Sequence, residues 1–175
     1  MKPRRCAQGH IGLDTAVWPE GVTGFSLDTF ARAPLWRAGL DYRHGTGHGV
    51  GAALNVHEGP QGISFRPNEQ AILPDMIVSN EPGYYEDNKF GIRIENLALV
   101  RDAATEFRFA GKGYMTLEPI TYVPIETKLM NVDLMSQGER AWVNSYHEEV
   151  RKRVAPRLEG RERALAWLEK KTQPI

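Results

Sequence analysis

Every second position between residues 45 and 51 is glycine, in the run His44-Gly45-Thr46-Gly47-His48-Gly49-Val50-Gly51. Such a segment buries almost nothing and makes a poor core. The backbone there must either turn or approach another backbone closely, which only residues without a Cβ allow. Room is left on both sides of two imidazoles. The core has to be built from the flanking chain, and 175 residues at 41% hydrophobic are enough for a domain with a real interior.

The flanks read as helices at both ends with strands between. Leu27, Phe30, Ala31, Leu35 and Ala38 fall at helical spacing, predicting a helix over Ser26–Leu40 with Ser26 as its cap. Pro34 is expected to kink or split it. Met76–Ser79 is a short apolar run suited to a buried strand, and Phe90–Val100 alternates as a strand does. Glu86-Asp87-Asn88-Lys89 is turn chemistry, so Met76–Tyr85 and Phe90–Val100 are expected to lie antiparallel. Phe107–Ala110 and Thr116–Val123 are further strand candidates, the second interrupted by Pro119. Ser136-Gln137-Gly138-Glu139 fits a capping box ahead of a helix carrying Trp142, Val143, Tyr146, Val150 and Val154. Pro156 and Gly160 punctuate before a last helix over Arg161–Lys171. The layout is α+β.

Charge narrows the function classes. Basic and acidic residues balance at 22 each, which gives no electrostatic case for nucleic acid or a membrane surface. The balance is uneven locally: residues 51–125 hold 6 basic and 10 acidic side chains, net −4, whereas 126–175 hold 10 and 8, net +2. Cys6 is the single cysteine, so no internal disulfide is possible. No apolar stretch approaches 18 residues, and no apolar run follows the basic start Met1–Arg5. A cytoplasmic chain without a membrane segment is expected.

Three of the five histidines cluster, His44, His48 and His57, while His10 and His147 stand apart, the latter on an expected surface helix. Neutral imidazole is a common metal ligand and also titrates near neutrality. His48 and His57 alone do not match a zinc spacing. Glu81 ends an apolar strand in Ser79-Asn80-Glu81-Pro82-Gly83, and Glu95 lies in the neighbouring strand in Gly91-Ile92-Arg93-Ile94-Glu95-Asn96. A glutamate among apolar strand residues is costly to bury unless it is paired or holds a cation. Two outcomes are open, an ion pair of Arg93 with Glu81 or Glu95, or a cation held by His48 and the two carboxylates. Two carboxylates with one imidazole form a hard, oxygen-rich donor set that suits Mn or Mg.

The glycine–histidine run, followed in order by Asn55-Val56-His57-Glu58-Gly59-Pro60, Asn80-Glu81-Pro82-Gly83-Tyr84-Tyr85 and Gly91-Ile92-Arg93-Ile94-Glu95-Asn96, resembles the Xaa-Pro aminopeptidases (aminopeptidase P) of eukaryotic cytosolic type, in metallopeptidase family M24. Glu118-Pro119-Ile120-Thr121, Val123-Pro124-Ile125 and the stretch from Trp167-Leu168 to Thr172-Gln173-Pro174-Ile175 resemble the family's closing segment, so the likeness spans about residues 8–175. It implies the C-terminal half of a creatinase or "pita-bread" fold, an antiparallel sheet flanked by helices, over 8–125, with a C-terminal helical extension over 126–175. It implies a Mn-dependent aminopeptidase releasing the residue that precedes proline from proline-containing peptides. Carried over residue by residue, His48, Glu81 and Glu95 match metal ligands, Glu81 also matches the base, His44 and His57 match active-site histidines, and Arg93 matches a supporting arginine. The family holds two metals with five side chains, two of them aspartates eleven residues apart. Before His44 this chain has Asp14, Asp28 and Asp41, at spacings of 14 and 13. The resemblance therefore implies an incomplete ligand set, completed by a homodimer, by association with a chain supplying the other half, or by sequence beyond these residues; the alternative is an inactive remnant serving as a metal-binding or dimerisation module.

Overall fold

The computed structural model of the chain describes residues 2–53 and 55–175. They form two compact units, spanning 4–121 and 122–175.

The first unit begins with a helix the periodicity analysis does not foresee, α1 (Lys2–Asp14). Gly9 and Gly12 weaken its helical signal, yet they serve packing: a Cβ on Gly9 would stand 2.2 Å from the Ala31 carbonyl oxygen of the next helix. That helix, α2, runs Gly24–Trp36 rather than Ser26–Leu40. Thr23, not Ser26, occupies the cap position, and the Ser26 amide bonds to the Thr23 carbonyl. Pro34 neither splits the helix nor stops it at once; the helix runs two residues past it. Leu27, Ala31 and Leu35 are buried as their spacing requires, while Phe30 stays exposed.

The sheet has the order β1 (Trp18–Pro19), β8 (Tyr114–Pro119), β7 (Asn96–Asp102), β4 (Ile77–Asn80), antiparallel throughout. Two ribbons accompany it: β2 (Gly47–His48) with β3 (Gly62–Ile63), and β5 (Gly83–Glu86) with β6 (Phe90–Arg93). Antiparallel pairing of the 76–85 and 90–100 segments is as expected, but each breaks in two, β4 from β5 at Glu81-Pro82 and β6 from β7 at Ile94-Glu95. The β4–β7 ladder closes with Asn80 opposite Asn96, so the two glutamates leave it side by side. Phe107–Ala110 is not a strand. Phe107 and Phe109 are exposed, Ala110 has a φ of 52°, and a 3-10 turn spans Phe109–Gly111. The main core includes Leu13, Trp18, Leu27, Ile63, Ile72, Val78, Val100, Met115 and Leu117. A second cluster of Cys6, Leu35, Tyr42 and Tyr84 is also buried, and burial there raises the Cys6 thiol pKa to about 12.

The second unit holds α3 (Gln137–Val154) and α4 (Glu162–Lys171). Ser136 and Glu139 form the full capping box. His147 is fully buried rather than on a surface face, its Nε2 accepting the Ile125 amide at 3.1 Å. Among the described residues no helix is long and apolar enough to cross a membrane.

Candidate metal centre

Three strand ends in the first unit meet at the predicted residues. The β2–β3 ribbon lies against β4, where a Cβ on Gly47 would stand 1.9 Å from the Ser79 carbonyl oxygen. The close backbone approach implied by the alternating glycines therefore occurs, and its partner is the strand leading to Glu81. The His48 amide donates to Ser79 Oγ at 2.9 Å, and Ser79 Oγ in turn donates to Glu81 Oε1 at 3.0 Å. The Glu81 amide donates to the Thr46 carbonyl at 2.8 Å. The glycine run and Glu81 are thus tied by backbone and side chain together.

His48, Glu81 and Glu95 each offer a ligand atom, and these atoms lie within 4.8 Å of one another. His48 Nε2 stands 3.2 Å from Glu81 Oε1. His48 Nδ1 faces the Gly49 carbonyl at 2.9 Å. A carbonyl only accepts, so the proton of a neutral ring belongs on Nδ1 and Nε2 presents a lone pair to the carboxylate. Two acceptors facing at that distance require a positive charge between or upon them, met by an imidazolium or by a cation. The donor set, one imidazole and two carboxylates at converging strand ends, fits a hard divalent cation.

Arg93 supplies part of the counter-charge, its Nη1 lying 3.1 Å from Glu81 Oε2 and 3.9 Å from Glu95 Oε2. Both ion pairs considered from sequence are therefore present beside the three-ligand group. Glu81 is buried, whereas Glu95 is exposed in the break between β6 and β7 and not inside a strand. His57 is exposed, with its ring centroid 4.1 Å from that of His48.

His44 is brought to the same side of the fold through Tyr85, which sequence reasoning left without a role. His44 Nδ1 lies 2.7 Å from the Gly45 carbonyl, placing the proton there, so Nε2 accepts from the Tyr85 hydroxyl at 2.9 Å. The Tyr85 oxygen accepts from Arg93 Nε at 3.0 Å. Tyr85 follows Glu81 by four residues at the alternate position of β5, and that placement was the available signal. Ser79, two residues before Glu81, was likewise overlooked. A hollow of about 420 Å³ opens beside His44, lined by Tyr42, Tyr85, Asp87 and Arg93 among others.

An antiparallel sheet with flanking helices thus brings three metal-type donors together beside neighbouring histidines. The chain belongs to metallopeptidase family M24, which matches residues 4–102, while the C-terminal region of peptidase M24 matches 113–175. It is 60% identical to Aminopeptidase P2 of Arabidopsis thaliana over 172 residues, 98% of this chain and 24% of that protein. It is 54% identical to a probable Xaa-Pro aminopeptidase P of Coprinopsis cinerea, over 98% of this chain and 28% of that one. Among solved structures it is similar to the X-prolyl aminopeptidase of Caenorhabditis elegans, described as a cytosolic enzyme with a di-nuclear active site. That similarity has a TM-score of 0.91 at 40% identity, covering 99% of this chain and 28% of the other. The fold is therefore the C-terminal part of the pita-bread fold. The chain spans about a quarter of the length of the relatives it matches.

Proposed function

We propose that this chain forms one wall of a manganese-dependent aminopeptidase centre that releases the N-terminal residue preceding proline, acting in the cytoplasm. The observation that carries the reading is the convergence of His48, Glu81 and Glu95 within 4.8 Å. Divalent ions held there would supply Lewis acidity toward the scissile carbonyl and lower the pKa of bound water. Glu81 is the proton acceptor, its Oε1 oriented by Ser79 and its Oε2 balanced by Arg93. His57, against His48, steadies charge developing on the carbonyl oxygen. His44 handles protons at Nε2, where Tyr85 keeps it an acceptor until that hydrogen bond is exchanged for one to the peptide. Arg93 supports both carboxylates.

Three donors do not fill the coordination of two ions, so a complete centre needs further carboxylates, supplied by more of the same protein or by another chain. The same shortfall favours one competing reading, a metal-binding or dimerisation module that performs no hydrolysis by itself. Cleavage of an Xaa-Pro-Pro peptide is measured with the purified chain and added Mn²⁺, alone and with a relative's preceding segment. Mn²⁺ content is measured in parallel. The expected result is Mn²⁺ binding that His48→Ala abolishes, and cleavage in the complemented sample that His57→Ala abolishes. Mn²⁺ bound through His48 with no cleavage in either sample would favour the module. Metal content unchanged by His48→Ala would overturn both.

A further inference from the structure

The side chain that holds the glycine run from behind belongs to neither the metal-type donors nor the histidines. Arg32, on α2, is 1% exposed and sits between the rings of Tyr42 and Phe65, its guanidinium carbon 3.9 and 4.9 Å from their centroids. Its Nε donates to Asp28 Oδ2 at 2.6 Å, one turn earlier on the same helix. Its Nη1 donates to Asp41 Oδ1 and to the Tyr42 carbonyl, both at 2.8 Å, and its Nη2 donates to the His44 carbonyl at 2.7 Å. The second oxygen of Asp28 accepts the Thr46 hydroxyl at 2.5 Å. Residues 42, 44 and 46 are thus gripped at every second position by one Asp–Arg pair.

A buried arginine needs a carboxylate partner to offset its desolvation. Asp28 alone would serve that need. Of the remaining donors one goes to Asp41 and two go to loop carbonyls, in a planar fork that lysine cannot reproduce. The grip reaches the site by a short path, since the Thr46 carbonyl accepts the Glu81 amide and His48 follows Thr46 by two residues.

We infer that Arg32 is a positioning residue of the metal centre: with Asp28 it sets the path of residues 42–46, and through Thr46 it sets the spacing between His48 and Glu81. The metal-affinity part of this inference rests on the function proposed above. Arg32→Lys keeps the charge and the contact with Asp28 but cannot reach both carbonyls. Ala31→Gly, on the same buried helix, is the control for a general loss of stability. In the otherwise intact chain, Arg32→Lys is expected to weaken Mn²⁺ binding by about 10–100-fold, as removal of an outer-shell partner does. Ala31→Gly is expected to lower the melting temperature and leave the Mn²⁺ affinity in place.

Amide exchange at Glu81 without metal gives the second readout. It is expected to rise at least about tenfold in Arg32→Lys relative to Val100, an amide of the central sheet, and to keep its ratio to Val100 in Ala31→Gly. If Arg32→Lys does not fold, Asp28→Asn, which removes the charge facing Nε and keeps the shape, is read in the same way. A Glu81 amide that exchanges in constant ratio to Val100 in both variants would overturn the inference whether or not Mn²⁺ binds. Wild-type protein that binds no Mn²⁺, yet shows the local rise at Glu81, would instead count against the proposed function while sustaining the role of Arg32.

Discussion

His10 ties acid stability to the placement of the two glutamates. It is fully buried on α1, where its carbonyl accepts Asn80 Nδ2 at 3.0 Å and its Nε2 lies 3.4 Å from Asn96 Nδ2. Asn80 and Asn96 are opposite one another on the last rung of the β4–β7 ladder, each next to a glutamate of the site. Burial lowers the imidazole pKa from 6.5 to about 4, against a weaker upward pull from backbone hydrogen bonds at Asn80 and Ile94. The unfolded chain takes up a proton near pH 6.5 that the folded chain refuses until about pH 4. Stability is therefore complete above 6.5 and falls as pH falls through that window. At about 1.4 kcal/mol per pH unit the whole window amounts to about 3 kcal/mol, of which about 2 kcal/mol is lost by pH 5.

Urea unfolding at a series of pH values between 7.5 and 5, for the wild type and His10→Gln, isolates this contribution. Other titrating groups act alike in both proteins and cancel in the difference. The wild type should lose about 2 kcal/mol more than the variant on going to pH 5, although His10→Gln starts from lower stability at pH 7.5. Parallel pH profiles, or a native His10 ring resonance that titrates near its unperturbed value, would refute the reasoning.

Two further substitutions test packing and capping. Gly47→Ala places a Cβ 1.9 Å from the Ser79 carbonyl oxygen, and backbone on both sides leaves little room to yield. It should destabilise by about 1–3 kcal/mol, and by separating β2 from β4 it should also weaken Mn²⁺ binding; an unchanged melting temperature and affinity would contradict the contact. Ser136→Ala removes the acceptor of the Glu139 amide and half of a reciprocal cap. It should cost about 1 kcal/mol, seen by tryptophan fluorescence during urea unfolding, with no effect on Mn²⁺ affinity.

What was legible in the chain was what local chemistry decides. The capping box at Ser136 needs only residues three apart, and the buried stripe of Leu27, Ala31 and Leu35 needs only helical spacing. Alternating burial along Ile92, Ile94, Asn96, Ala98 and Val100 follows from the pleat. The break at Ile94-Glu95 was not legible, because the alternation runs straight through it. There the Ile94 amide turns to the Pro82 carbonyl, and a bond between chain segments leaves no mark on a period of two. Helix α1 was missed for a related reason: Gly9 and Gly12 lower its local helix propensity, whereas the carbonyls of Ala31 and Phe30 that approach them lie in another helix. His147 was placed outside since its partner, the Ile125 amide, is 22 residues away.

The site divides along the same line. The ligand-type residues were readable as residue types flanked by glycine and apolar strand. Ser79, Tyr85 and Arg32, which orient them, were not singled out, since a serine, a tyrosine or an arginine acquires such a role only when the fold supplies its partner. Asp28 and Arg32 did carry one local clue, an acid and a base four apart on a helix. What spacing could not reveal is that this pair faces inward, because its orientation depends on the carbonyls of Tyr42 and His44. Those carbonyls are aimed at α2 only once the glycine run has been pressed against β4. Asp28 offsets the burial of Arg32, while the packed glycine run fixes the loop whose carbonyls take its other donors, so loosening either side should be felt at the other.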